Sequence, residues 1–308
     1  MSQAEIVVRN YQSGDLRRYV LLQAEIEEAE PTGRCVSSEF IAGQLRRPNY
    51  CPEKDLVVAE MGDVIVGYMD IEAELAIRRV VLDCAVLVAY RRRGLATKLF
   101  NRAMNRIKKL RVKAVHVNIR QDNAVAVKTL TRLGFSLIRQ FLELRLDVDH
   151  AGTSDTHTAI KWRCLQPGQE GALAKLQNRA FAGVWGYNPN TAETIAFRVK
   201  QSSASARDIV FAYDKGRAVG CCWTGIICEE GIPSVTRGRI HMLGVDPNHR
   251  GKGIGRGLMG IGLTRLRERG LRVAELTVDG ENEAARALYE SLGFSVRTRT
   301  LWYERLIG

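Results

Sequence analysis

The chain has 308 residues, 45% of them hydrophobic and 26% charged, and carries a formal net charge of +12. That length suffices for two domains with separate cores, and no apolar run approaches the roughly 20 residues a membrane-spanning helix needs. Seven scattered cysteines without paired C-x-x-C spacing exclude a disulfide framework and a zinc site, and they read as buried thiols of a reducing compartment. The opening Met1-Ser2-Gln3-Ala4-Glu5 has no basic segment followed by an apolar one, so a cytoplasmic location is expected.

In chain order, a strand is predicted over Glu5 to Arg9, where Ile6 and Val8 alternate with Val7. Ser13-Gly14-Asp15 starts a helix running to about Glu28. Ser37 or Ser38 caps a second helix carrying Phe40, Ile41 and Leu45, which Pro48 ends. Asp55 to Glu60 and Val64 to Glu74 read as a hairpin around Met61-Gly62-Asp63. Val80 to Val88 is a strand leading into Arg91-x-x-Gly94-x-Ala96, and the helix from Gly94 to about Leu110 buries Leu95, Leu99, Ala103 and Ile107. A strand over Ala114 to Ile119, a helix over Asn123 to Leu133 and a strand over Ser136 to Leu146 follow. The polar, turn-rich stretch after them reads as a linker, which divides the chain into residues 1–147, 148–158 and 159–308.

The second half repeats the order. A helix is predicted from Gln169 to Phe181, then the aromatic loop Trp185-Gly186-Tyr187-Asn188-Pro189-Asn190, a helix from Ala192, and a hairpin around Asp214-Lys215-Gly216-Arg217. An apolar strand from Ile240 to Val245 closes at Asp246-Pro247, ahead of a helix with Ile254, Leu258, Ile261 and Leu266 on one side. Shifting the chain by 159 residues puts Arg91, Gly94 and Ala96 on Arg250, Gly253 and Gly255, Asn123 on Asn282, and Gly134-Phe135 on Gly293-Phe294. The chain is therefore a duplicated domain. Matching Gly67 to Gly220 needs a shift of only 153, so six residues were gained before the second central strand, around Glu229-Glu230-Gly231-Ile232-Pro233.

Chemistry concentrates at Arg250-Gly251-Lys252-Gly253-Ile254-Gly255-Arg256, where a strand ends and a helix begins. Glycines there let backbone N–H groups approach an anion, and the helix N-terminus and basic side chains add positive potential, which makes a pyrophosphate cradle. In the first copy Ala96 replaces the last glycine and is expected to narrow the cradle slightly. Eleven basic residues and no acidic one lie between Asp83 and Asp122, with Lys98, Arg102 and Arg106 on one helical face. A solvated face and a funnel for an anionic ligand both account for them. Nucleic acid is not expected, because no RNA-binding module motif accompanies the run.

The loop R-x-x-G-x-G, followed 27 residues after Gly255 by Asn282-x-x-Ala285-x-x-Leu288-Tyr289-x-x-x-Gly293-Phe294, resembles the GNAT superfamily of acyl-CoA-dependent N-acyltransferases. The resemblance implies two tandem α/β (α+β) GNAT domains, each a mixed, mostly antiparallel twisted sheet flanked by helices. It implies acetyl-CoA as acyl donor, held by Leu243, Gly244 and Val245, by Arg250, Gly251, Lys252, Gly253, Ile254, Gly255 and Arg256, and by Asn282. In the first copy Val86, Arg91, Arg92, Arg93, Gly94, Leu95 and Ala96 stand in the corresponding places. The family's central strand carries a bulge, which Gly244 suits. Insertions such as the one at Glu229 border the acceptor site in this superfamily. The stretch Gly238 to Pro247, the aromatic loop and Cys222-Trp223-Thr224-Gly225 are similar to the mycothiol synthases, two-copy members whose strand has a glutamate, proposed as general base, where this chain has Arg239. An arginine cannot take up a proton at neutral pH, so the acceptor is not implied by the resemblance.

The reaction implied is attack of a neutral amine on the acetyl thioester, with Tyr289 as the acid that protonates the leaving thiolate. His241 shares a strand face with Arg239 and is one candidate for the base; Glu229, Glu230 and a relaying water are the others. Leu130, Val80 and Leu82 occupy the places of Tyr289, Arg239 and His241 in the first copy, so only the C-terminal copy is expected to be catalytic. A small-molecule primary amine is the leading acceptor. A protein α-amine or lysine, and a non-catalytic acyl-CoA-binding module, are the alternatives.

Overall fold

The computed structural model describes residues 5–150, 160–201, 206–227 and 237–307. The first copy contains β1 (Ile6–Asn10), α1 (Leu16–Ala29), α2 (Ser38–Gln44), α3 (Pro52–Asp55), β2 (Leu56–Met61), β3 (Val64–Glu74), β4 (Arg79–Val86), α4 (Leu95–Ile107), β5 (Ala114–Arg120), α5 (Ala124–Arg132) and β6 (Ser136–Asp147). The second contains β7 (Lys161–Cys164), α6 (Glu170–Ala180), α7 (Ala192–Gln201), β8 (Ile209–Asp214), β9 (Arg217–Ile227), β10 (Arg237–Val245), α8 (Ile254–Glu268), β11 (Val273–Asp279), α9 (Glu283–Ser291) and β12 (Ser295–Leu306). Among the described residues no helix is long and apolar enough to cross a membrane.

Local chemistry sets the helix boundaries. The Ser37 hydroxyl accepts the N–H of Phe40 and starts α2. Asn123 and Asn282 accept the N–H groups of Ala126 and Ala285 and start α5 and α9. Gly134 and Gly293, with φ of 79° and 91°, end those two helices in the left-handed region.

The chain forms two compact units, Met1–Arg139 with Thr300–Gly308, and Gln140–Arg299. These do not coincide with the sequence copies expected on either side of a linker at 148–158. In the first unit the strand order is β1-β2-β3-β4-β5 with β12 beyond β5. Here β12 runs antiparallel to β5 from Thr300↔Arg120 to Leu306↔Ala114. In the second unit the order is β7-β8-β9-β10-β11 with β6 beyond β11, paired from Val273↔Asp147 to Asp279↔Phe141. Each unit thus takes its last strand from the other copy. Ser136 and Ser295 begin equivalent strands of similar alternation, so the residue pattern places both strands beside a fifth-strand equivalent without choosing which.

The core of the first unit is built on Leu56, Val58, Ile65, Ile71, Val80, Leu99, Phe100 and Ile107. The second unit has one core on each face of its sheet. Leu258, Leu263, Leu266, Ala274, Leu276 and Phe294 pack beneath α8 and α9. Leu173, Leu176, Ile195, Phe211 and Trp223 pack beneath α6 and α7. Cys222 belongs to the first of these cores and Cys221 to the second, as the period of two requires. Burial pushes both thiols up to about 12, so neither is a nucleophile or a metal ligand at neutral pH.

Candidate active site

The parallel strands β10 and β11 pair only at Gly238↔Ala274 and Arg239↔Glu275. Beyond that point β10 stays with β9 as far as Val245, while β11 stays with β6 as far as Asp279. The two strands diverge, and those main-chain groups between Met242 and Val245 that face β11 have no ladder partner there among the described residues. In the first unit β4 and β5 stay paired longer, from Arg79↔Ala114 to Leu82↔Val117.

A bulge adds to the divergence, and its position differs from the one expected at Gly244. The register with β9 shifts between Ile240↔Thr224 and Met242↔Trp223, so His241 is the extra residue. Gly244 has a packing reason instead: a Cβ there would come within 2.8 Å of the Phe181 ring and 3.1 Å of the Ala180 methyl. The equivalent strand β4 pairs with β3 without a shift from Gly67↔Val86 to Glu74↔Arg79. The bulge lays the imidazole across Gly225, where a Cβ would lie 2.4 Å from His241 Nε2, and edge-on to Trp223 at 6.1 Å between ring centroids. Crowding by protein, and then the charge of Arg239, push the His241 pKa down to about 4. Its imidazole is neutral at physiological pH and has a lone pair to offer.

This geometry gives a direct test. In Gly225→Ala the new methyl displaces the His241 ring, a side chain free to swing, so little stability is at stake. Turnover is expected to fall by at least about tenfold with the melting temperature nearly unchanged. Unaltered turnover in the variant would show that the imidazole position is irrelevant.

Tyr289 lies on the opposite face, in the core beneath α8 and α9, with its ring 5.8 Å from that of Phe294. Burial, and then the neighbouring Cys222 thiol, raise its pKa above the ordinary phenol value, so it stays protonated throughout the physiological range. Its counterpart Leu130 is 7% exposed in the first unit, and Val80 and Leu82 are 0% and 2% exposed, so that site is packed with hydrocarbon.

The loop before α8 has the form of an anion nest. Gly251 and Gly253 adopt φ of 73° and 74°, and in the first copy Arg92 and Gly94 adopt 63° and 73°. Alternating left-handed residues turn successive N–H groups into one concavity. A Cβ on Gly251 would meet nothing within 4 Å, so the space above the loop is open. A Cβ at Gly255 would make only ordinary contacts, 3.5 Å to Leu288 and 3.7 Å to Val245, so an alanine such as Ala96 is not the narrowing substitution expected from sequence.

The side chains around this loop divide into braces and free charges. Arg250 turns inward: Nη2 donates to the Ala180 carbonyl at 2.7 Å and Nε to the Val245 carbonyl at 3.3 Å. Arg91 does the same, with Nε donating to the Val86 carbonyl at 2.9 Å and a two-pronged bond to Glu30 at 2.6 and 2.8 Å. Both arginines, expected as ligands of the donor, therefore hold the loop to the preceding strand. Asn282 spends its side-chain oxygen on capping α9. Lys252 and Arg256 have no carboxylate partner among the described residues; Arg256 donates to the Ser291 hydroxyl at 2.6 Å. Open N–H groups, a helix N-terminus and two unneutralised cations fit a pyrophosphate.

Of the basic face on α4, Arg106 is paired with Asp55 and Arg102 donates to Asn10, as for a solvated face. Glu229, Glu230 and the rest of the inserted stretch lie outside the described residues. One residue at the site escaped the sequence reading. Glu143 on β6 stands opposite Thr277 of β11, half-buried, and has no hydrogen bond or ion pair among the described residues. A depression of about 400 Å³ lined by Arg163, Cys164, Gln166, Gln169 and Tyr213 lies on the β7–β8 edge, not at the divergence.

The acetyltransferase (GNAT) family model matches residues 22–135 and 169–294. The mycothiol acetyltransferase of Amycolatopsis mediterranei is 29% identical over 302 residues, covering 94% of each chain. That of Propionibacterium freudenreichii is 29% identical over 252 residues, 80% of this chain and 76% of its own. Among solved structures, a GCN5-related N-acetyltransferase from Sphaerobacter thermophilus superposes with a TM-score of 0.71 at 22% identity, over 98% of this chain and 95% of that one. A tandem GNAT protein from the clavulanic acid biosynthesis pathway gives 0.72 at 18% identity over 99% of each chain, a likeness of fold. With its loop, its diverging strands and two family matches in one chain, the protein belongs to the acetyltransferase (GNAT) family and is an acetyl-CoA-dependent acetyltransferase.

Proposed function

We propose that the protein transfers the acetyl group to a primary amine of a small molecule, and that the C-terminal copy does the chemistry. The observation that carries the reading is the bulge at His241, which presents an imidazole beside the strand divergence in the second copy alone. The naming of many relatives as mycothiol acetyltransferases supports a small acceptor.

Acetyl-CoA supplies an activated acetyl thioester. The N–H groups of the loop from Gly251 to Gly255, with Lys252 and Arg256, would hold its pyrophosphate. Those main-chain N–H groups between Leu243 and Val245 that face the divergence would receive its pantetheine arm and carbonyl. His241 Nε2 would take the proton that the amine loses, and the Tyr289 hydroxyl would give a proton to the sulfur that leaves. A screen of small amines against peptides, read by CoA release and product mass, tests this. Transfer to peptide α-amines or lysines with none to small amines would overturn the acceptor class.

We also propose that the first copy binds CoA through Arg92, Arg93, Gly94, Leu95 and Ala96. The nest conformation survives there although Arg92 replaces a glycine in the left-handed region. Residues 1–147 lack the 300–306 strand that pairs with β5, so the test belongs on the whole chain. Calorimetry is expected to find two CoA sites per chain, the weaker one lost in an Arg92→Glu, Arg93→Glu double variant and weakened by salt. A single site in the parent protein would refute it.

A further inference from the structure

On the α6/α7 face of the second unit, three arginines converge near the strand divergence. Arg237 donates to Glu275 Oε1 at 3.0 Å and Arg297 donates to the same oxygen at 2.8 Å, so that carboxylate is shared between them. Arg239 is left over. Its Nη2 donates to the Thr277 hydroxyl at 2.9 Å, and it has no carboxylate partner among the described residues. Thr277 is exposed and Arg239 half-buried, and the carboxylate of Glu143, across β11, forms no ion pair with it.

We propose that Arg239 is a specificity-determining residue that receives an anionic group of the acceptor, so that the acceptor is an amine also bearing a carboxylate or a phosphate. A guanidinium next to a candidate base is otherwise a disadvantage: its charge repels an ammonium on arrival and lowers the proton affinity of His241. An acceptor anion seated on Arg239 cancels both effects. The guanidinium fork matches either oxyanion with two N–H donors. The bond to Thr277 fixes the fork without neutralising it, and so prepares the site before the acceptor arrives. Trp185, 5.8 Å from Phe141 between ring centroids, adds apolar surface at the Asp279 end of β11, where Phe141 is the register partner, for the rest of such a molecule.

The inference rests on the small-amine reading above, and matched acceptors separate the two. Phenylalanine is compared with phenethylamine, and phosphoethanolamine with ethanolamine, using the full chain and acetyl-CoA. The anionic member of at least one pair is expected to have the higher kcat/KM by at least about tenfold. Which pair responds distinguishes carboxylate from phosphate. In Arg239→Gln, which removes the charge and keeps an amide, that ratio should fall to near one; Arg239→Lys should recover part of it, and Thr277→Ala should leave most of it. If no acceptor is acetylated, the small-amine reading fails, and calorimetry of the same pairs on the CoA-loaded chain still decides this one. Preference for the neutral-tailed amine, in rate or in binding, or a ratio unmoved by Arg239→Gln, would overturn it.

Discussion

Replacing His241 with alanine is expected to lower turnover about 100-fold, the lower end of the roughly 10²- to 10⁴-fold loss that follows removal of a general base. The structure supplies the reason for the lower end. Crowding and Arg239 hold the imidazole well below its ordinary pKa, so it is always in its basic form but draws protons weakly. The same shift places the pH limb. Rate is lost as pH falls through the pKa of the base, so the acidic limb of kcat, read with the acceptor saturating, should lie below 6.5, the ordinary histidine value. In the alanine variant this limb should disappear. A variant whose profile keeps the parent's limb and height would remove His241 from the mechanism, and the base would then be sought at Glu143 or in the inserted stretch.

Tyr289→Phe deletes one hydroxyl and keeps a ring that is buried against Phe294. It should cut kcat by at least about tenfold and leave the affinity for acetyl-CoA nearly unchanged, the signature of an interaction made only in the transition state. The raised pKa keeps the phenol protonated near neutrality but also makes it a weaker acid, so the hydroxyl acts on the departing sulfur first as a hydrogen-bond donor. No basic limb from this residue is expected within the physiological range. Full activity in the variant would overturn the role. In the first unit Leu130 has no proton to give, and Leu130→Ala should act on stability by roughly 2–5 kcal/mol, as other buried leucines do, through the cavity it leaves.

The residues that do local work were legible in the chain itself. A serine at 37 and asparagines at 123 and 282 start helices by bonding N–H groups three residues on, and these are short-range events that sequence alone determines. The nest was readable for the same reason: glycines at 251 and 253 make left-handed backbone cheap, and a helix pattern follows at once. The duplication was visible as well, because it is a property of the text.

Only the tertiary structure decided three things. It put the bulge at His241 and not at Gly244, because a bulge is a mismatch between two strands, and Phe181 had already claimed the space beside Gly244. It turned Arg91 and Arg250 inward as braces, because each finds a strand-end carbonyl within reach that no spacing rule reveals. And it gave β6 to β11 and β12 to β5. The motifs, caps and repeat were set by sequence, since neighbours along the chain interact whatever the rest does. Strand exchange was not, since two copies of one fold offer each last strand two equivalent edges, and only long-range packing chooses between them. That choice is what brings Glu143, read from sequence as part of the first domain, beside Thr277 at the candidate site.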